Sequence, residues 1–147
     1  MSTIRRQQSE RKHLEVGDGD ITTVMSHPAV VVRDRDPLDH VLRAYAATGL
    51  RHLAVVDDTG TCVGLISDRA VTAAWVRDPM LFDHLTAGQV LDETAPIVQE
   101  NETIRLAARV MHVCGTDAVV VVDRAGRPAG LLTAADLVGL LARSQPA

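Results

Sequence analysis

Short β-branched runs and helical stripes of apolar residues alternate along this chain, and their order occurs twice. The runs at 28–32 (PAVVV) and 95–98 (APIV) have the pattern of strands. After each, apolar positions space as one face of a helix: Leu38, Val41, Leu42 and Tyr45 in the first set, Ile104, Ala107, Ala108 and Met111 in the second. Asp36 is placed as the N-cap of the first helix, Pro37 as its first residue and Gly49 just past its end. The segments HLAVVDDTGTCVGLIS and AVVVVDRAGRPAGLLT each predict strand, tight turn and strand, the turn marked by Asp and Gly. The stretches DRAVTAAWV and AADLVGLLA predict a closing helix in each set.

A shift of 66 residues lays 24–72 on 90–138 without a gap. Val32 then meets Val98, Asp57 meets Asp123, and Gly49, Gly60 and Gly64 meet Gly115, Gly126 and Gly130. A constant offset across turns and apolar runs alike marks an internal duplication. Each copy reads β-α-β-β-α. A unit of about 50 residues buries too little surface alone, so the expected fold is α/β (α+β), with two pseudo-symmetric repeats packed sheet to sheet. The expected boundaries are 21–78 for the first repeat and 79–143 for the second, with a tail at 144–147. Residues 1–20 hold four basic and four acidic side chains and little apolar periodicity, which predicts a flexible, solvated lead-in.

Composition narrows the function. Apolar residues are 46% of the chain and aromatics only 2%, so the core must be aliphatic. A net charge of −4 argues against a nucleic-acid binder, which shows a basic face. No apolar run approaches the ~18–20 residues of a membrane span, and the N-terminus lacks an apolar signal core. Two cysteines, Cys62 and Cys114, suit neither a disulfide framework nor a structural zinc site. A cytoplasmic protein without a membrane partner is expected.

The strings LRHLAVVDDTGTCVGLISDRAV and AVVVVDRAGRPAGLLTAADLV resemble the core of the CBS domain, named after cystathionine β-synthase. The resemblance covers residues 21 to 143, nearly the whole chain, as a free-standing tandem pair, or Bateman module. It implies a regulatory sensor that binds an adenosine-type nucleotide in a cleft between the repeats and passes its occupancy to a protein partner. It also implies a two-fold homodimer formed through the closing helices, where Ala70, Ala73, Ala74 and Gly139 allow close approach and Trp75 is an anchor. The ligands implied are AMP, ADP, ATP or S-adenosylmethionine; no cofactor is required.

The two copies differ where the family holds its ligand. GLLTAAD ends on Asp136, whereas GLISDRA has Ala70 at the matching place. A carboxylate accepts hydrogen bonds from both hydroxyls of a ribose, and its charge strengthens them. Thr133 supports the sugar, and the base is expected against Ala95, Pro96 and Ile97, with phosphate reaching toward Arg51 and His52. At the offset positions of these last two stand Asp117 and Ala118, so the other cleft, with Ser67, Asp68 and Arg69, is expected to be degenerate. A second explanation stays open: Thr133 and Asp136 also form a helix-capping pattern. A protein-interaction module that binds no nucleotide would keep the fold and use that pair only as a cap.

Enzyme readings fail on the residues. Asp34-x-Asp36 after an apolar strand resembles the nucleophile loop of haloacid-dehalogenase-type phosphatases, but Pro37 follows it and the only lysine, Lys12, lies upstream. The six histidines have no ligand spacing and neither cysteine has a CxxC partner, so neither catalysis nor a metal site is expected.

Overall fold

The computed structural model describes residues 3–92 and 96–144. Two three-stranded sheets form, one from each repeat. In the first, β1 (Val31–Arg33) pairs parallel to β2 (His52–Val56), and β2 pairs antiparallel to β3 (Cys62–Ser67). In the second, β4 (Ile97–Gln99), β5 (Ala118–Val122) and β6 (Pro128–Thr133) repeat this order, down to the irregularity after Val55 and after Val121. The parallel pairs need a crossover, supplied by α2 (Leu38–Thr48) and α5 (Ile104–Cys114). Gly49 and Gly115 end these helices in the left-handed conformation, which costs a residue without Cβ nothing. The closing helices are α3 (Asp68–Arg77) and α6 (Ala134–Arg143), with a short α4 (Pro79–Phe82) after α3.

The central strands are buried on both faces, which is why they read as unbroken apolar runs. Leu53, Val55 and Ile66 face α2 and α3, and Val119, Val121 and Leu132 face α5 and α6. The opposite faces meet: Ala54, Cys62 and Leu65 pack on Ala118, Val120, Val122 and Leu131. This aliphatic layer is the expected sheet-to-sheet contact. Cys62 is buried in it and Cys114 is exposed; both are free thiols.

Sequence order and packing order part company at the leading segments. The 3-10 turn at Ile21–Thr23 buries Ile21 in the core of the second sheet, while the equivalent turn at Ala87–Gln89 buries Ala87 in the core of the first. Ser26 N–H donates to Leu131 O at 2.8 Å, and Asp92 N–H donates to Leu65 O at 2.9 Å, again 66 residues apart. Each repeat therefore lends its leading segment to the other. A cut between 78 and 79 separates the sheets but not the packing units.

Two local expectations change. Asp36 does not cap α2: its carboxylate turns back to accept from Arg33 N–H at 2.8 Å, so Pro37 takes the cap position without a side-chain bond. The lead-in expected to be flexible over 1–20 is instead helical in α1 (Thr3–Gly17). Its run of Arg, Gln, Glu and Lys has good helix propensity, and its C-terminal end is held against α5. Arg105 Nη1 lies 2.7 Å from Asp18 Oδ1, and Ile104 N–H donates to Gly19 O at 3.1 Å. Residues 145–147 of the expected tail lie outside the described residues.

The crossing explains the glycine at 130. A Cβ there would lie 2.6 Å from Met25 Sδ and 2.7 Å from Ser26 O, a backbone atom that cannot swing aside. Gly130→Ala is expected to destabilise the fold by about 1–3 kcal/mol through overpacking. In urea denaturation the midpoint should fall; an unchanged midpoint would show that the crossing segment is loose.

Candidate functional site

The crossing of the leading segments opens two clefts, related by the repeat offset and separated by a common wall of Arg51, His52 and Asp117. Backbone bonds set that wall on the helices: Ala134 N–H donates to Asp117 O at 2.8 Å and Asp68 N–H to Arg51 O at 2.9 Å. His52 Nε2 lies 3.3 Å from Asp117 Oδ1, a side-chain contact that joins the two repeats across the wall.

The cleft beside Thr133 encloses about 420 Å³. Ser26, Pro28, Ala29 and Val30 form one side, and Thr133, Ala134 and Ala135 the end at the start of α6. Gly49, Leu50, Arg51 and His52 close it opposite. The guanidinium of Arg51 makes no ion pair among the described residues.

Thr133 and Asp136 come together as a capping box. Thr133 N–H donates to Asp136 Oδ2 at 2.9 Å, and Asp136 N–H donates to Thr133 Oγ1 at 3.3 Å. Asp136 is half-buried just behind the cleft lining, and its Oδ1 has no partner among the described residues. The carboxylate also stands in the first turn of α6, where the helix dipole favours a negative charge.

Two of the residues expected to hold a base lie away from this cleft. Pro96 and Ile97 do not line the Thr133 cleft; Val30, the repeat counterpart of Pro96, lines it with Ala29 and Pro28. Ala95 lies outside the described residues. The physical cause is the exchange of leading segments, which brings the strand start of the first repeat to the helix start of the second.

The other cleft encloses about 460 Å³ and is more polar. It gathers Ser67, Asp68 and Arg69 as the sequence grouped them, with Arg51, His52, Thr116 and Asp117. It also contains Asp92, which sequence reasoning missed. Ser67, buried at 5% exposure, caps α3 by accepting from Ala70 N–H at 3.1 Å and donates its own proton to Asp92 Oδ1 at 2.9 Å. The repeat offset carries Asp136 onto Ala70, which has no carboxylate. The carboxylate is supplied instead from the crossing segment, a position legible only once the crossing is known. Its charge is felt nearby. Burial pushes the Tyr45 phenol above its ordinary range, and the carboxylates of Asp68 and Asp92 push it further. The phenol donates to Ile66 O at 2.9 Å.

Among the described residues, no group of three or more His, Cys, Asp or Glu side chains is arranged to hold a metal ion, and no helix is long and apolar enough to cross a membrane.

Two β-α-β-β-α units packed sheet to sheet, with paired clefts at the crossing, define a tandem-repeat α+β module. The CBS domain family model matches residues 19–77 and 87–143, and the chain belongs to that family. It is 27% identical over 123 residues to the L-aspartate semialdehyde sulfurtransferase of Methanosarcina acetivorans, covering 84% of this chain but only 24% of that enzyme. The chain thus spans about a quarter of that curated relative. Among solved structures, the CBS domain of a CBS domain-containing membrane protein from Sphaerobacter thermophilus superposes with a TM-score of 0.81 at 21% identity, covering 95% of this chain and 98% of that one. A CBS domain pair in complex with 5′-methylthioadenosine and S-adenosyl-L-methionine gives 0.74 at 20% identity, covering 85% and 97%. At these identities the likeness is one of fold.

The capping box has a direct consequence for the ligand-free protein. Asp136→Ala should lower stability by about 1 kcal/mol, whereas Asp136→Asn, which still presents an acceptor to Thr133 N–H, should lose less. Chemical denaturation of the two variants and the parent reads this. Equal midpoints for Asp136→Ala and the parent would show that the box contributes nothing.

Proposed function

We propose that this chain is a regulatory sensor that binds an adenosine-type nucleotide in the Thr133 cleft and passes its occupancy to a protein partner. The observation that carries this is the arrangement around one cleft: the Thr133 hydroxyl at the start of α6 with the half-buried Asp136 carboxylate behind it, an apolar side from Pro28 to Val30, and Arg51, which makes no ion pair among the described residues. The unused Asp136 Oδ1 and the Thr133 hydroxyl suit a ribose diol. The apolar side suits a purine without aromatic stacking, and Arg51 with His52 suits a 5′-phosphate. In support, a solved CBS pair holds two ligands that share an adenosyl group. The ligand class is AMP, ADP, ATP or S-adenosylmethionine. The module operates in the cytoplasm, where such ligands occur and where Cys62 and Cys114 stay reduced.

A thermal-shift series tests the site. Ligand at 100 times its dissociation constant stabilises the parent by about 2.7 kcal/mol, a rise of several degrees. Asp136→Ala should lose most of that rise for adenosine and AMP alike, since both carry the ribose. Arg51→Ala should lose only the increment of AMP over adenosine. If Asp136→Ala responds to nucleotide as fully as the parent, its carboxylate is a cap alone, and a protein-interaction module without a nucleotide becomes the better description.

The same module is proposed to act as a homodimer through the closing helices. On these helices Trp75 is 55% exposed and Val138 65%, and Val76 and Leu141 are also uncovered. Leu137 and Leu140 of α6 pack inward on the core of the second sheet, which leaves Val138 as the outward apolar residue between them. Light scattering at micromolar concentration should give the mass of two chains, and Trp75→Ala combined with Val138→Asp should give the mass of one. A monomeric parent, or a double variant that stays dimeric, excludes this interface.

A further inference from the structure

We propose that the Thr133 cleft takes up the phosphate of its nucleotide together with a proton from solvent, His52 exchanging its contact with Asp117 for the anion as an imidazolium. The preference for nucleotide over nucleoside then rises as pH falls. This rests on the assignment of the cleft to an adenosine nucleotide and adds the regulation of its phosphate end.

His52 stands in the wall that the two repeats share. Its side chain is 13% exposed and its Nε2 lies 3.3 Å from Asp117 Oδ1, while the Asp117 side chain is 63% exposed. Neither the ring nor the carboxylate has another hydrogen-bond partner among the described residues. Both residues line the Thr133 cleft, His52 from the first repeat and Asp117 from the second. A carboxylate on this lining repels a phosphate, and Arg51 offsets that one charge. The wall is therefore neutral while His52 is neutral, and carries one positive charge once His52 is protonated. An ion pair with one exposed partner contributes little, so the contact yields readily to a stronger anion. Burial holds the ring in place, and the exposed carboxylate is the part that swings away.

The neighbouring elements do not supply the missing charge. Asp68 and Arg69 at the start of α3 cancel, and Asp92 on the crossing segment is negative. Asp136, half-buried behind Thr133 at the start of α6, is negative too. The ends of α2 and α5 present Gly49, Leu50, Gly115 and Thr116, none of them ionisable. Tyr45 of α2 stays a neutral donor to Ile66 O, because burial, and then Asp68 and Asp92, push its phenol up. His27, between Ser26 and Pro28 of the lining, is the other imidazole nearby. Arginine and aspartate keep their charges over the range in which an imidazole changes its own, about pH 5 to 8.

Isothermal titration of the full chain with adenosine and with adenosine 5′-sulfate tests this, since the sulfate ester keeps one negative charge throughout. From about pH 8 to about pH 5.5 the parent should come to bind the ester about tenfold more tightly, the gain of a hydrogen bond between charged groups. Its affinity for adenosine should stay level. His52→Gln, which keeps a donor toward Asp117, should lose the pH dependence. Asp117→Asn should keep it and bind the ester about threefold more tightly at pH 8, because an opposing charge is gone. Titration near neutral pH in two buffers of different ionisation enthalpy should show proton uptake with the ester and none with adenosine, a reading that needs no variant. An advantage of the ester that ignores pH would overturn the proton linkage and leave the cleft assigned. So would a pH dependence that survives in His52→Gln, which would belong to His27. Full binding of both ligands by Asp136→Ala, or no binding by the parent, would refute the cleft and the linkage with it.

Discussion

Two amide hydrogen bonds, Ser26 N–H to Leu131 O and Asp92 N–H to Leu65 O, hold the leading segment of each repeat on the sheet of the other. Much else depends on this exchange. A three-stranded sheet with two helices leaves its second face open, and stacking the sheets covers it with Ala54, Leu65, Val120 and Leu131. The exchange adds the remaining apolar contacts, placing Ile21 in one helix-side core and Ala87 with Val90 in the other. Separating the repeats would uncover all three clusters, so the pair forms one cooperative unit rather than two beads.

The frame is symmetric and its side chains are not, and the differences fall where they matter chemically. At the turns, Cys62 N–H donates to Gly126 O at 2.9 Å, but the counterpart of Cys62 is Pro128, which has no N–H to return the bond. At the wall, the counterpart of Arg51 is Asp117, so offset positions carry a cation in one repeat and an anion in the other, and both line both clefts. In the Thr133 cleft apolar residues dominate one side, and in the other cleft ionic side chains dominate. Duplication supplied two equal cavities. Different side chains at offset positions, Ala70 against Asp136 and Arg51 against Asp117, give them different chemistry, while the bonds that seat the leading segments, Ser26 N–H to Leu131 O and Asp92 N–H to Leu65 O, are the same.

Much of the fold was legible because its causes are local. Apolar, β-branched runs mark the strands, Gly49 and Gly115 mark helix ends, and the Asp–Gly turns close the hairpins through bonds made within five residues, such as Thr59 N–H and Thr61 N–H to Asp57 Oδ1. The capping partnership of Thr133 and Asp136 was equally legible, since both residues lie in one turn. Local reasoning failed at Asp36, where two nearby donors competed for one carboxylate and the Arg33 amide prevailed. It failed again at α1, whose polar sequence gives no amphipathic stripe and whose hold on α5 depends on Arg105, 87 residues from Asp18.

By itself the sequence determined the two-fold repetition, the order of elements within each repeat, the aliphatic core and the Thr133–Asp136 helix start, because periodicity, turn chemistry and offset are properties of neighbours along the chain. Only the tertiary structure decided which start faces which strand. It set Thr133 against Pro28, Ala29 and Val30 rather than Pro96 and Ile97, and brought Asp92 to Ser67, 25 residues away. The reason is that a leading segment can satisfy its amides on either sheet with the same backbone bonds. The choice is settled by which arrangement buries Ile21 and Ala87 against the completed pair, a comparison that exists only once both sheets have formed.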